Sequence, residues 1–339
     1  MSRRFNLEMP RIVSKTPGKL VVLGEYAVLH GAPAMVLAVN RYCHVAINPS
    51  KDDYCHLIAR TYEDQAVKFE QGMTSGFEIV DTVLRFLPGP RIYSAVLDTS
   101  ELFKNGIKIG LGSSAAALTA WVGAWLAFSG KDRVEADSKS LRTLIGLHRA
   151  IQGGAGSGVD IAASLCGGVT RFQLDGCAEP QTRAVALPKG VVFTGVFTGS
   201  AAATPDYLKL YKKWRAEEPY EAAMHQRTMT EIAENGIHTA DTNDGEGFLK
   251  TIIEYGKSLE MLGSQIGAEI FNQDHCNVKK IADLLGISYK VSGAGGGDMG
   301  LAFSLDVGLL EEFKRQVNKD YSVLDLDIDT NGLTVEMVE

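Results

Sequence analysis

The 339-residue chain has few cysteines, five in all, and none in a CxxC spacing. Cys43, Cys55, Cys166, Cys177 and Cys276 are too scattered, and too odd in number, for a disulfide framework or a zinc site, and they fit a reducing compartment, the cytoplasm. Excess basic charge is also missing: 34 Lys and Arg stand against 41 Asp and Glu, a formal net charge of −7. No global field attracts nucleic acid or an anionic membrane, so small molecules are the expected partners of a monomer or homodimer. Tandem repeats and low-complexity tracts are absent, which excludes a solenoid. The basic start, MSRRFNLEMPR, leads into Lys15, Lys19 and Glu25, which interrupt any signal-peptide core. Long uncharged runs come down to one, IGLGSSAAALTAWVGAWLAF at 109–128. Its length suits a bilayer. Its Gly-Leu-Gly-Ser-Ser opening is a poor helix start and a good tight loop, so it reads as a buried helix entered through glycines, with Trp121, Trp125 and Phe128 as core.

What is present, 45% hydrophobic and 22% charged residues, is a globular composition with room for two cores. Residues 12–47 alternate short apolar runs (KLVVLG, YAVL, AMVLAV, YCHVAI) with Gly and Pro. This predicts short strands joined by turns, with Lys19 entering a strand after a Pro-Gly turn. GFEIVDTVLRFL (76–87) and SLRTLIGLHRAIQ (140–152) have helical spacing, and RIYSAVLD (91–98) reads as a strand. After Pro188 comes a new apolar run, GVVFTGVFTG (190–199), and then helical patterns over 205–235, 247–271 and 274–285. YKVSGAGGGDMGLAFSL (289–305) reads as strand, glycine loop and strand, and the tail as one helix (307–319) and a last strand. Mixing without regular β-α-β alternation predicts an α+β fold, divided near Pro188 into residues 1–187 and 188–339.

The glycine loops bring in the chemistry. Free N–H groups at a helix start, helped by the helix dipole, make an anion site. Gly110, Gly112, Ser113, Ser114, Ala115 and Ala116 keep bulky side chains away from such a site, and the hydroxyls can donate or ligate Mg2+. A Walker loop fails, because Gly256-Lys257-Ser258 has Thr251 at the first glycine position. A Rossmann fingerprint on Gly110, Gly112 and Ala115 would find its acid about 20 residues on only at Asp132, in a charged loop. A nucleophile elbow at Ser114 would need Asp160 with His225, His238 or His275, and nothing selects among them. Close helix packing also accounts for such glycines taken alone. They are not alone: KTPGKLVVLGEYAVLHG (15–31) supplies Lys19, GSGVDIAAS (156–164) supplies Asp160, and KVSGAGGGDMG (290–300) adds a second backbone concavity. One cation, one carboxylate and two backbone nests suit phosphoryl transfer, where the protein mainly positions reactants and neutralises charge.

In this order, PGKLVVLGEYAVLHG (17–31), GLGSSAAALTAW (110–121) and SGAGGGDMG (292–300), with GSGVD before the third, resemble the signatures of the GHMP-family small-molecule kinases. That family is named for galactokinase, homoserine kinase, mevalonate kinase and phosphomevalonate kinase, and the similarity spans nearly the whole chain. The resemblance implies the GHMP kinase fold, a ribosomal-S5-like N-terminal domain and a ferredoxin-like C-terminal domain with the active site in their cleft. It implies that Gly110, Leu111, Gly112, Ser113, Ser114, Ala115 and Ala116 wrap the ATP phosphates, with Ser114 close to Mg2+. Asp160 would take or orient the acceptor proton, and Lys19 would pair with it and face the transferred group. Glu25, Tyr26, His30, Ser157, Gly158, Ser292, Gly293, Ala294 and Gly295 would border the substrate.

Within the family, HRAIQGGAGSGVDIAAS (148–164), SGAGGGDMGLA (292–302) and Tyr26 resemble phosphomevalonate kinases, whereas VLHGAPAMVLAV (28–39) resembles mevalonate kinases. Mevalonate kinases place a second metal-binding glutamate on the helix before the GSGVD-type loop, and LRTLIGLHRAIQ (141–152) carries no acid. A metal with fewer protein carboxylates suits a substrate that brings phosphate oxygens. Lys19, Arg149 and Lys290 lie in or beside the motifs as cations for a dianionic acceptor, Arg149 equally as a solvated helix residue. The resemblance therefore implies transfer from ATP to 5-phosphomevalonate, with mevalonate or another small alcohol as the alternative acceptor and a non-catalytic binding protein as a third reading. GLGSSA separates the chain from the decarboxylase branch, which reads GLASSA. TGSAAATPDYL (198–208) resembles a substrate-facing segment and also reads as a helix cap at Thr204 before Pro205. The other histidines read as surface or core, and Met299 as packing.

Overall fold

The computed structural model describes residues 11–338 except 62, 90–91, 155, 175–178 and 200–203. Cys177 and the middle of the 198–208 segment lie outside the described residues, as do the side chains of Thr204 and Pro205. The first half holds β1 (Arg11–Leu23), β2 (Ala34–Pro49), β3 (Cys55–Arg60), β4 (Asp64–Phe69), α1 (Glu78–Phe86), β5 (Tyr93–Asp98) and the short pair β6 (Phe103–Lys104) and β7 (Ile107–Lys108). It continues through α2 (Ser113–Phe128), α3 (Ser138–Ile151), α4 (Val159–Cys166), β8 (Val169–Gln173) and β9 (Gln181–Val185). The second half holds β10 (Val192–Phe197), α5 (Thr204–Glu217), α6 (Pro219–Asp241), α7 (Gly245–Ile266), α8 (Gln273–Leu285), β11 (Ser288–Val291), β12 (Met299–Ser304), α9 (Val307–Val317), β13 (Ser322–Leu324) and β14 (Thr334–Val338).

The strands form an eight-stranded sheet in the order β14-β1-β2-β5-β3-β4, with β8 pairing β2 and β9, and a four-stranded sheet in the order β11-β12-β10-β13. The smaller sheet is antiparallel throughout. Helices between β10 and β11 and between β12 and β13 make it a βαββαβ unit, the ferredoxin-like arrangement. The change of sheet falls between β9 and β10, but β14 returns to pair with β1, so the division into 1–187 and 188–339 does not hold for the tail.

Two local expectations are corrected. The 12–47 region is not a row of short strands: β1 runs 13 residues against β2 and carries bulges between Pro17 and Gly18 and between Val21 and Leu23. Pro17 has no N–H for the ladder, and the bulge accommodates it inside a strand flanked on both sides. Lys19 therefore sits within a strand, not at its entry. YAVL is a turn, with Ala27–His30 forming one 3-10 helix behind Tyr26 at φ 59°. The helical stretch 205–235 is two helices, because Pro219 at the start of α6 cannot continue the hydrogen bonding of α5.

The uncharged run becomes α2, packed in the core with Trp121 and Trp125 buried. Tyr93 meets both indoles edge-on, with ring centroids 6.0 and 5.3 Å away. No helix among the described residues is long and apolar enough to cross a membrane. Two hydroxyls fasten α2 to β1: Ser14 Oγ donates to Ala120 O (2.7 Å) and Thr16 Oγ1 to Ala116 O (2.8 Å). The helix start is thereby held over the strand that carries Lys19.

Three histidines, His148, His225 and His275, are buried. Burial is the main influence pushing each imidazole below its ordinary pKa of 6.5. His275 spans two elements: its Nε2–H donates to Gly297 O (3.0 Å), which leaves Nδ1 to accept from the Tyr289 hydroxyl (2.7 Å). A folded chain that resists protonation binds fewer protons than the unfolded one, so stability rises with pH through the histidine range and is lost as pH falls below ~6.5. Thermal unfolding is predicted at a lower temperature near pH ~5.5 than near pH ~7.5. A Tm that stays constant or rises toward acid contradicts this.

Candidate active site

A cleft of about 170 Å³ lies between the two sheets' loops. β1, the turn after it, the loop before α2, helix α3, the start of α4 and the loop between β11 and β12 line it, with Lys19, Glu25, Tyr26, Gly110, His148, Asp160 and Asp298 among the side chains and backbone exposed to it. On its floor Lys19 Nζ stands 3.4 Å from Asp160 Oδ1, and their side chains are 9% and 32% exposed. An ammonium this shielded is held by a carboxylate that still reaches solvent.

Glycine is required where the two halves of the chain meet. Gly112 has φ +74°, and a methyl group there would lie 2.8 Å from Lys19 Cγ. Gly110 has φ +76°, and its methyl group would lie 2.5 Å from Asp298 Cβ. Backbone at 110–112 thus lies directly on the Lys19 side chain on one side and against Asp298, itself at φ 58°, on the other. Lys19 N–H donates to Leu111 O (2.9 Å), which seats the loop on β1. α2 has no side-chain cap, and its first internal bond runs from Ala116 N–H to Gly112 O (3.1 Å). The amides of Ser113, Ser114 and Ala115 precede that bond and face outward at the positive end of the helix dipole. A bound anion would find them there.

Opposite, the 292–297 loop is held by a second set of bonds. Val21 N–H donates to Ser292 Oγ (2.8 Å), the Tyr26 hydroxyl to Ala294 O (2.7 Å) and Gly293 N–H to Glu25 Oε1 (3.4 Å). Glu25 Oε1 also accepts from the Lys290 ammonium, and both side chains are buried. The Tyr255 hydroxyl donates to Glu25 O (2.8 Å) and fixes its backbone. Burial pushes the Glu25 carboxyl up and the Lys290 ammonium down, and their mutual attraction opposes both shifts. Glu25 Oε2 has no partner among the described residues and is available to a donor on a bound molecule.

Of the residues expected at the site, the structure brings together Lys19, Asp160, Gly110, Glu25, Tyr26, Ser157, Gly158, Ser292, Gly293 and Ala294. Leu111, Ala115 and Ala116 turn their side chains into the core and can contribute only backbone. Two expected substrate positions, His30 and Gly295, do not line this cleft. His30 is exposed beside the Tyr211 ring, 5.7 Å between centroids, and Gly295 faces the Ile270 backbone. The cations expected for an acceptor are also corrected: Lys290 is buried on Glu25, and Arg149 donates through Nε to Gly156 O (2.9 Å), bracing the loop before α4. Among the described residues lining the cleft, Lys19 is the one Lys or Arg.

His148 and Asp298 were assigned no role from sequence. His148 is buried, lines the cleft and places Nε2 3.2 Å from Ser114 Oγ. Burial chiefly lowers its pKa, helped by Lys19 and opposed by Asp160. Its signal was its face: it lies seven residues after Leu141 and four after Leu144, on the buried side of α3.

No family model matches the chain. It is 28% identical over 342 residues to a phosphomevalonate kinase of Streptomyces sp. strain CL190, covering 86% of this chain and 89% of that one. It is 24% identical over 317 residues to a mevalonate kinase of Thermococcus gammatolerans, covering 85% and 87%. The Streptococcus pneumoniae phosphomevalonate kinase in complex with phosphomevalonate and AMPPNP superposes with a TM-score of 0.77 at 22% identity, over 93% of this chain and 99% of that one. The chain thus has relatives named phosphomevalonate kinase and mevalonate kinase and shares the GHMP kinase fold.

The contact between Gly110 and Asp298 yields a test. A non-glycine residue in the left-handed region costs roughly 1–2 kcal/mol. Gly130, at φ +68° with open space around it, carries only that cost, whereas Gly110 adds the collision with Asp298. Gly110→Ala is predicted to lower unfolding stability more than Gly130→Ala in chemical denaturation and to weaken ATP binding. Equal losses, with ATP affinity intact, contradict the close approach.

Proposed function

We propose that this chain, a relative of the GHMP-family kinases, transfers the γ-phosphoryl group of ATP to a small acceptor, 5-phosphomevalonate. The observation that carries phosphoryl transfer is the Lys19–Asp160 pair set between an uncapped helix start and a second glycine loop. The ATP phosphates would lie on the amides of Ser113 to Ala115, and the Lys19 ammonium would meet the charge that develops on the transferred group. The donor set near them consists of hard oxygens, the Ser114 hydroxyl and the Asp160 carboxylate, and no cluster of three metal-ligating side chains occurs among the described residues. That set fits Mg2+, which takes most of its ligands from water and phosphate. When bound, the ion would neutralise phosphate charge, with Ser114 as its protein ligand.

The acceptor reading rests on α3, which turns His148 and no carboxylate toward the cleft, and on the Streptomyces relative. An acceptor phosphate has its second pKa near ~6, so its oxygen is already a nucleophile at neutral pH. That oxygen would bond to the γ-phosphorus as the bridging P–O bond to ADP breaks, with ADP taking the electron pair. No proton has to leave, and Asp160 would chiefly hold Lys19. The acceptor's own charge would face the backbone at Gly158 and the start of α4 as well as Lys19. One observation favours mevalonate itself as acceptor: among the described residues, a single Lys or Arg lines the cleft.

A coupled ADP-release assay with Mg·ATP, comparing mevalonate and 5-phosphomevalonate at equal concentration, separates the two. Turnover is expected with the phosphorylated acceptor alone. Lys19→Met is expected to cost about 10²–10³-fold, and Asp160→Asn less than the roughly 10²–10⁴-fold that follows loss of a general base. Turnover with mevalonate alone, or a larger Asp160→Asn loss at intact ATP affinity, contradicts a phosphate acceptor.

A further inference from the structure

Among the described residues His148 is the one histidine lining the cleft, and the phosphoryl transfer set out above makes no use of it. Its ring comes from the last turns of α3 and meets a serine 34 residues earlier, in the first turn of α2. The helix before it, the loop Arg149 braces and Ile145 packed against Gly158 hold that turn of α3 in place. The ring therefore has little freedom to turn away from Ser114.

A serine hydroxyl has one proton and two lone pairs. To ligate a hard cation it must present a lone pair, and its proton must point elsewhere. In the first turn of a helix the proton would otherwise be free to rotate toward the cleft. Nε2 of His148, 3.2 Å from Ser114 Oγ, is an acceptor within reach when the imidazole carries its proton on Nδ1. The opposite arrangement, with Nε2–H donating to Ser114 Oγ, would occupy a lone pair and leave the serine proton facing the phosphates.

Resting on the proposed use of Mg·ATP, we propose that His148 is a positioning residue that accepts the Ser114 hydroxyl proton and so turns the Ser114 lone pairs toward the phosphate-bound Mg2+. Its effect falls on the part of nucleotide affinity that Mg2+ adds, not on the affinity of ATP alone. Outer residues that orient a metal ligand are typically worth about 10–100-fold in metal affinity.

Calorimetric titration of ATP into the full chain, with and without Mg2+, tests this, together with thermal unfolding of each variant. His148→Phe is expected to lose about tenfold or more of the Mg2+-dependent gain with metal-free ATP affinity unchanged, Ser114→Ala to lose at least as much of that gain, and the double variant to lose no more of it than Ser114→Ala. His148→Gln, whose side-chain oxygen can accept near the position of Nε2, is expected to recover part of the loss. Wild-type Mg2+ dependence in His148→Phe overturns the proposal, as does an equal loss with and without Mg2+. A wild-type chain that binds ATP with no Mg2+ gain also overturns it while leaving phosphoryl transfer to the ADP assay. A wild-type chain that binds no ATP removes both readings.

Discussion

The pairing of Glu25 with Lys290 joins the turn after β1 to β11, 265 residues further along the chain, with both charges away from water. Desolvating two ions is expensive, and further bonds to Glu25 Oε1 and to the Lys290 ammonium offset part of that cost, while Glu25 Oε2 keeps no partner among the described residues. Gly293 N–H and Val21 O take part, and Tyr255 locks the Glu25 backbone. What this interaction places is the 292–297 loop, one wall of the cleft. The other wall, the start of α2, is set independently by Ser14, Thr16 and Lys19 on the same strand. β1 is thus the common reference for both walls, and the distance between them follows from how each is tied to it.

The cleft that results works more through backbone than through side-chain charge. Gly110 against Asp298 and Gly112 against Lys19 leave no space for a Cβ, so amides rather than side chains approach whatever lies between the walls. Among the described residues, positive charge in the cleft comes from one ammonium and from the dipoles of α2 and α4. Such a site would select by the placement of oxygens against amides more than by net charge.

Much of this was legible in the sequence, and the failures share one cause. Gly-rich segments announce backbone that must come close to something, and a Lys and an Asp beside them stand out as charges, so Lys19, Asp160 and the loops can be read together, and the structure puts the pair in one cleft. Lys290 was misread because a lysine next to a glycine motif carries no local mark of burial; its partner is 265 residues away. Glu25 lines the cleft, but its hold on Lys290 leaves no local mark in the sequence for the same reason. His30, adjoining a motif, turned outward because the 3-10 turn at Ala27–His30 breaks the alternation that a strand would have imposed. His148 could have been read from its helical face, which predicts burial though not the serine it meets. The return of β14 to β1 has no local signal either, since strand pairing at that separation is decided by what is left uncovered after the rest has folded.

The Glu25–Lys290 pair is the device that holds the second glycine loop against the turn after β1. A double-mutant cycle with Glu25→Gln and Lys290→Met, reading unfolding free energy and Mg·ATP affinity on the same proteins, tests it most directly. Each single change should cost about 3–5 kcal/mol, because it strands one buried partner, and should weaken nucleotide binding. The double change should cost clearly less than the two together. Strictly additive effects, or single changes that leave both stability and affinity intact, would show that the loop is held by something else.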